Sequence, residues 1–101
     1  MESGRIRHTV SFTLAHPAGS AAERDFLKAA WRLGAIPGVE AFEVLSEVSP
    51  KNGFRYGISM EFASQAAYDG YNVHPDHVRF LEERWLKEVA DFLEIDYTPL
   101  A

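Results

Sequence analysis

The sequence predicts an α+β fold of the ferredoxin-like type: a four-stranded antiparallel sheet built in the order β-α-β-β-α-β, with its helices on one face. Three observations lead there. Apolar residues alternate with polar ones in three segments, the period of a sheet with one buried face. Two other segments repeat their apolar residues at helical spacing. Turn and capping residues stand where one period gives way to the other.

In the first segment Ile6, His8, Val10, Phe12 and Leu14 alternate with Arg7, Thr9, Ser11 and Thr13. This sends His8 and Phe12 toward the helices and Thr9 and Ser11 away. After the turn His16-Pro17-Ala18-Gly19, Ser20 stands three residues before Glu23, the spacing of a capping box. Phe26, Leu27, Ala30, Trp31 and Leu33 then give a helix over 21–33, with Gly34 as its C-cap. Ile36-Pro37-Gly38-Val39 turns the chain. Phe42, Val44 and Val48, alternating with Glu43 and Glu47, make the second strand, and Asn52-Gly53 centres the turn to the third. Phe54, Tyr56, Ile58, Met60 and Phe62 form that third strand. Ser64 caps a short helix running to Tyr71. Pro75, suited to a first helical position, restarts a helix that carries Val78, Leu81, Trp85 and Val89. A last strand is expected over 92–97, closing before Pro99.

Length and composition bound the function. With 101 residues the chain is expected to form one domain over 1–101, with one core and one modest pocket. The absence of cysteine excludes disulfides, thiol nucleophiles and Cys-based zinc sites, and suits a reducing, cytoplasmic compartment. No apolar run approaches the ~18 residues of a membrane span, so no membrane partner is expected. Lys and Arg are outnumbered 10 to 15 by Asp and Glu and form no run, which argues against nucleic acid. No phosphate loop or nucleophile elbow is present, and no cofactor or metal is expected. His74 and His77 supply only two nitrogens, too few for a metal site without a third ligand.

Four polar residues stand at positions that face the expected core or the helix restart. His8 lies on the apolar face of the first strand, where a histidine needs a hydrogen-bond partner. It is either a satisfied core histidine or a polar group on a pocket wall. His77 lies one turn into the last helix, and Tyr71 precedes the break before Pro75. Either could pack or cap. Together they offer an imidazole base and a hydroxyl donor, the pair that carbon-acid chemistry requires. Tyr56 points to the helix-covered face of the third strand. A pocket enclosed by these four residues would be walled by Phe12, Phe26, Trp31, Met60, Phe80 and Leu81, a mostly apolar lining with few polar groups. The same apolar residues also read as plain core.

The segment from Asn72 to Tyr97, NVHPDHVRFLEERWLKEVADFLEIDY, resembles the stress-responsive A/B barrel (Dabb) family, with its His-Pro-x-His motif, aromatic-rich helix and closing Asp-Tyr. Arg7-His8-Thr9-Val10 with Phe12, the turn Ile36-Pro37-Gly38-Val39, and Phe62-Ala63-Ser64 match the family elsewhere and in order. The resemblance implies a homodimer in which two sheets close a dimeric α/β barrel. In a plant polyketide cyclase of the family the catalytic pair is a Tyr and a His six residues apart; the matching positions here are Tyr71 and His77. Its first-strand pocket histidine matches His8. Its third-strand pocket histidine is replaced by Tyr56, a departure that puts identity of substrate in doubt.

Three functions of different class follow. The chain binds or converts a small hydrophobic carbonyl or polyketide-like compound by His/Tyr acid–base chemistry, as a cyclase, lyase or isomerase without a redox cofactor. Alternatively it is a non-catalytic stress-associated dimer, or a module that docks a partner on its outer helices. Bound ligand separates the first from the others, a filled core favours the second, and an exposed apolar patch on the helices favours the third.

Overall fold

Alternation in the first strand organises the whole sheet. The structure, a computed structural model, describes residues 4–100. Strand β1 (Ile6–Leu14) runs through the middle, flanked by β3 (Tyr56–Phe62) and β4 (Val89–Tyr97), with β2 (Glu40–Ser46) at the edge beside β3. The order is β2-β3-β1-β4, and every pair is antiparallel. His8 stands opposite Met60 on one side and Asp96 on the other. Because strand side chains alternate, one face carries His8, Val10, Phe12, Ile58, Met60 and Phe62, all buried. The other face carries Thr9 and Ser11 opposite Ser59 and Gly57. The expected register holds.

Helix α1 (Ala21–Trp31) starts at Ser20, whose hydroxyl accepts the Glu23 backbone N–H. The Glu23 carboxylate reaches back to accept the Gly19 N–H at 2.9 Å, which satisfies a second free donor at the helix end. Helix α2 (Gln65–Val73) is capped by Ser64, and α3 (Pro75–Phe80) by the His74 side chain, with Pro75 at its first position. A π-helical turn over Leu81–Trp85 follows, then the short α4 (Leu86–Glu88). All of these pack on one side of the sheet. Phe26, Phe80 and Trp85 meet Phe12 in a cluster of tilted rings, and Tyr68 and Tyr71 lie against Phe62.

Several boundaries differ from the sequence reading. Helix α1 stops at Trp31 and tightens into a 3-10 turn over Arg32–Ala35 that includes Gly34. Gly34 is therefore no left-handed cap; it is needed because a Cβ there would sit 2.8 Å from the Phe42 ring. Val48, 91% exposed, falls beyond β2. The Asn52-Gly53 turn is a longer exposed loop in which the Asn52 side chain accepts the Phe54 N–H. Val89 does not extend the helix. It opens β4 opposite Leu14, where the Ala15 N–H reaches the Glu88 carbonyl at 2.8 Å. No helix among the described residues is long and apolar enough to cross a membrane.

Candidate functional site

Under the helices, at the β1–β4 end of the sheet, lies a cavity of about 260 Å³. Its floor is His8, Val10, Ile58 and Met60 from the sheet; the helices supply Tyr71, His77, Phe80, Leu81 and Trp85. Phe92 and Glu94, both exposed, border it from β4. The π-helical turn contributes Leu81 and Trp85, and such turns often mark functional sites.

Hydrogen bonds hold both of its histidines. His8 is buried at 7% exposure, and its Nδ1 donates to the Asp96 carboxylate at 2.6 Å. The Tyr68 hydroxyl donates to the other Asp96 oxygen at 2.8 Å and lies 3.0 Å from the same Nδ1. A carboxylate can only accept, so Nδ1 carries a proton, and Nε2 is the ring nitrogen without a partner among the described residues. His77 follows the same logic. Its Nδ1 donates to the Asn72 carbonyl at 3.1 Å, which leaves Nε2 with its lone pair. Burial holds the His77 pKa below the ordinary 6.5, so this imidazole is neutral at pH 7.

Tyr71 sits between the two histidines. Its ring is 4.3 Å from that of His77 and 6.3 Å from that of His8. Only 2% of it is exposed, and burial, with the Glu94 charge second, drives its pKa far above 10. Its hydroxyl has no hydrogen-bond partner among the described residues, yet no buried side-chain polar atom is orphaned. The hydroxyl therefore opens onto the cavity it lines.

Six of the sequence-expected site residues share this lining: His8, Met60, Tyr71, His77, Phe80 and Leu81. Four do not. Tyr56 pairs with Phe12 rather than with His8, four positions further along β1, or about 13 Å at ~3.4 Å per residue. Its hydroxyl faces Glu23 instead. Phe12 and Phe26 are fully buried core, in ring contact with each other. Trp31 is 59% exposed and meets Phe42 edge-on, because it is rotated about 100° from the inward stripe that ends at Ala30.

Sequence reasoning missed Tyr68, Glu94 and Asp96. The signal was present. Tyr68 is three residues before Tyr71, on the same helix face, and Phe92, Glu94 and Asp96 alternate with Leu93 and Ile95 in β4. His8, Glu94 and Asp96 each bring one potential metal-ligand atom within 4.8 Å of the others. The His8–Asp96–Tyr68 hydrogen bonds account for two of those three groups.

Comparison with known proteins sets this geometry in a family. The stress responsive A/B barrel domain profile matches residues 6–99. The chain belongs to the stress-responsive A/B barrel family. A Dabb-family protein with a ferredoxin-like fold from Mesorhizobium loti is 56% identical, over 97% of this chain and 99% of that one, with a TM-score of 0.94. An Arabidopsis thaliana protein is 25% identical, over 95% and 96% of the two chains, with a TM-score of 0.81. The hydroxynitrile lyase of Passiflora edulis shares the fold at 15% identity, over 97% and 95% of the chains, with a TM-score of 0.83. No curated protein matches the chain in sequence. The ferredoxin-like α+β fold expected from the pattern of elements is the fold of the family.

Proposed function

We propose that this Dabb-family protein, one domain over 1–101, binds a compact hydrophobic carbonyl compound and converts it by acid–base chemistry, as a lyase, cyclase or isomerase without a redox cofactor. The observation that carries this reading is the His77–Tyr71 pair facing one apolar cavity. A neutral imidazole with its Nδ1–H tied to a backbone carbonyl presents Nε2 as a base. A hydroxyl whose pKa is pushed far up keeps its proton and can donate it in a hydrogen bond. Titratable groups pushed apart in this way are what a base and an electrostatic stabiliser need. In the reaction His77 Nε2 takes a proton from the carbon next to the carbonyl, the electron pair moves onto the carbonyl oxygen, and Tyr71 donates a hydrogen bond to that oxygen. Return of the proton to carbon, or bond formation or cleavage at that carbon, completes the cycle.

The hydroxynitrile lyase among the structural relatives supports the choice of carbonyl chemistry, and ferredoxin-like proteins described as dimeric support a homodimer for this chain. The cysteine-free composition fits a cytoplasmic setting. At about 260 Å³ the cavity falls just below the ~300–1,000 Å³ usual for ligand pockets, so the ligand is small.

The test is hydrogen exchange into small aryl ketones such as acetophenone in D₂O, followed by NMR. The protein is expected to accelerate exchange at the carbon beside the carbonyl. His77→Ala should cost about 10²–10⁴ of that acceleration, and Tyr71→Phe about 10²–10³. Exchange no faster than in buffer, with no ligand-induced rise in melting temperature, would end the reading and leave the dimer itself as the function.

A further inference from the structure

We propose that the cavity selects ligands that carry a protonated amine, and that Glu94 is the residue that anchors it. The inference rests on the cavity being the ligand site, and it names the substrate class: a carbonyl compound that also bears an amine.

Five observations converge. Glu94 lines the cavity, and its carboxylate lies within 4.8 Å of potential ligand atoms of both His8 and Asp96. Unlike Asp96, it makes no hydrogen bond or ion pair with any described residue. No Lys or Arg lines the cavity, so this charge stands at its exposed β4 rim with no Lys or Arg of the lining to balance it. Around it stand the rings of Tyr71, Trp85 and Phe92, with Trp85 and Phe92 edge-to-face at 5.6 Å. Aromatic faces beside a carboxylate are what recognise an organic cation. The Tyr71 hydroxyl, unpartnered on a residue that is only 2% exposed, supplies a further polar contact for such a ligand.

The charge already acts on the groups around it, since Glu94 helps raise the Tyr71 pKa and opposes the effect of burial on His77. A ligand carboxylate in the same place would meet Glu94 with no basic side chain to offset it. The Tyr71 hydroxyl and the His77 imidazole, held through its Nδ1, bring no positive charge to offset it.

Three probes of matched size separate the possibilities: phenethylamine, phenethyl alcohol and 3-phenylpropionate, titrated calorimetrically into the full-length protein at pH about 8, above the ordinary histidine range. Phenethylamine is expected to bind about tenfold more tightly than 3-phenylpropionate, the sum of a cation–π contact and an exposed ion pair. Glu94→Gln, which keeps the side-chain shape, should bring the amine to the level of the alcohol and strengthen the acid. Equal binding of all three, or tighter binding of the acid, would overturn the charge selection while leaving the cavity as a ligand site. Failure of all three to bind would overturn both. An unchanged order in Glu94→Gln would remove Glu94 as the anchor even if the amine preference stood.

Discussion

A single imidazole shows how position becomes chemistry here. His77 was legible in the sequence because it follows Pro75 by two residues, which fixes it on the first turn of a helix aimed back at the sheet. What the sequence could not supply was its hydrogen bond to the Asn72 carbonyl, a partner given by the break between α2 and α3. Glu94 and Asp96 stayed hidden for a related reason. An acidic residue in an edge strand reads as solvent-facing, and only the β1–β4 register turns these two toward His8 and Val10. Trp31 misled in the opposite sense, since a large aromatic near an apolar stripe counts as core until the helix phase is measured. The burial of His77 has two pH consequences. Its native pKa lies below 6.5, so the unfolded chain binds the proton first as pH falls. Stability should therefore decline as pH drops through about 6.5 and stop declining on this account below the native value. Activity, which needs the neutral base, should persist below 6.5 and fall only at the lowered native value. Denaturant melts from pH about 8 to 5 should show a shallower slope in His77→Ala than in the wild type. An identical slope would mean that His77 titrates alike in the folded and unfolded chains.

At the scale of elements, capping and alternation carried most of the fold, and junctions carried the errors. Both serine caps and the proline start stand where their chemistry calls for them, because a cap is decided by residues next to it in sequence. The end of α1 and the start of β4 are decided by distant partners, Phe42 in one case and Leu14 in the other, which no local pattern contains. Gly34 makes the point testable. In a helical turn, Gly→Ala is ordinarily stabilising by up to about 1 kcal/mol. Here the added Cβ would meet Phe42 at 2.8 Å at the ring and 3.3 Å at its Cβ, close to the backbone where the side chain has least freedom to yield. Overpacking of this kind costs about 1–3 kcal/mol. Gly34→Ala is therefore expected to lower stability in urea melts, and Gly34→Ala combined with Phe42→Ala should recover the part due to the clash. A stabilised single variant would mean that the Phe42 ring swings aside freely.

For the whole molecule, the open face of the sheet is the feature that most needs a partner. Its centre reads as expected, with Thr9, Ser11, Gly57 and Ser59 small or polar. The flanks do not. Leu45 on β2 stands opposite Gly57, while Leu93, Ile95 and Tyr97 on β4 stand opposite Ser11, Thr9 and Arg7, and these four apolar side chains are 39–52% exposed. The alternation of β4 predicts this stripe, yet it escapes notice when the inward residues are sought first. Small residues in the middle let a second sheet approach closely, and a large apolar residue at each flank gives it something to bury. Such a distribution would suit the homodimer proposed above. Sedimentation equilibrium at micromolar concentration should give twice the chain mass of 11.4 kDa. Ile95→Lys puts a charge into the centre of the stripe, opposite the Thr9 that already hydrogen-bonds its carbonyl. It should shift the protein toward monomer while leaving the helix-side cavity and its probe binding in place, because residue 95 points away from His8 and Tyr71. A wild type that sediments as a monomer, or an Ile95→Lys protein that stays dimeric, would place the association elsewhere. A monomeric variant that also loses ligand would show instead that the second sheet completes the cavity, since β4 carries Ile95 on one face and Glu94 on the other.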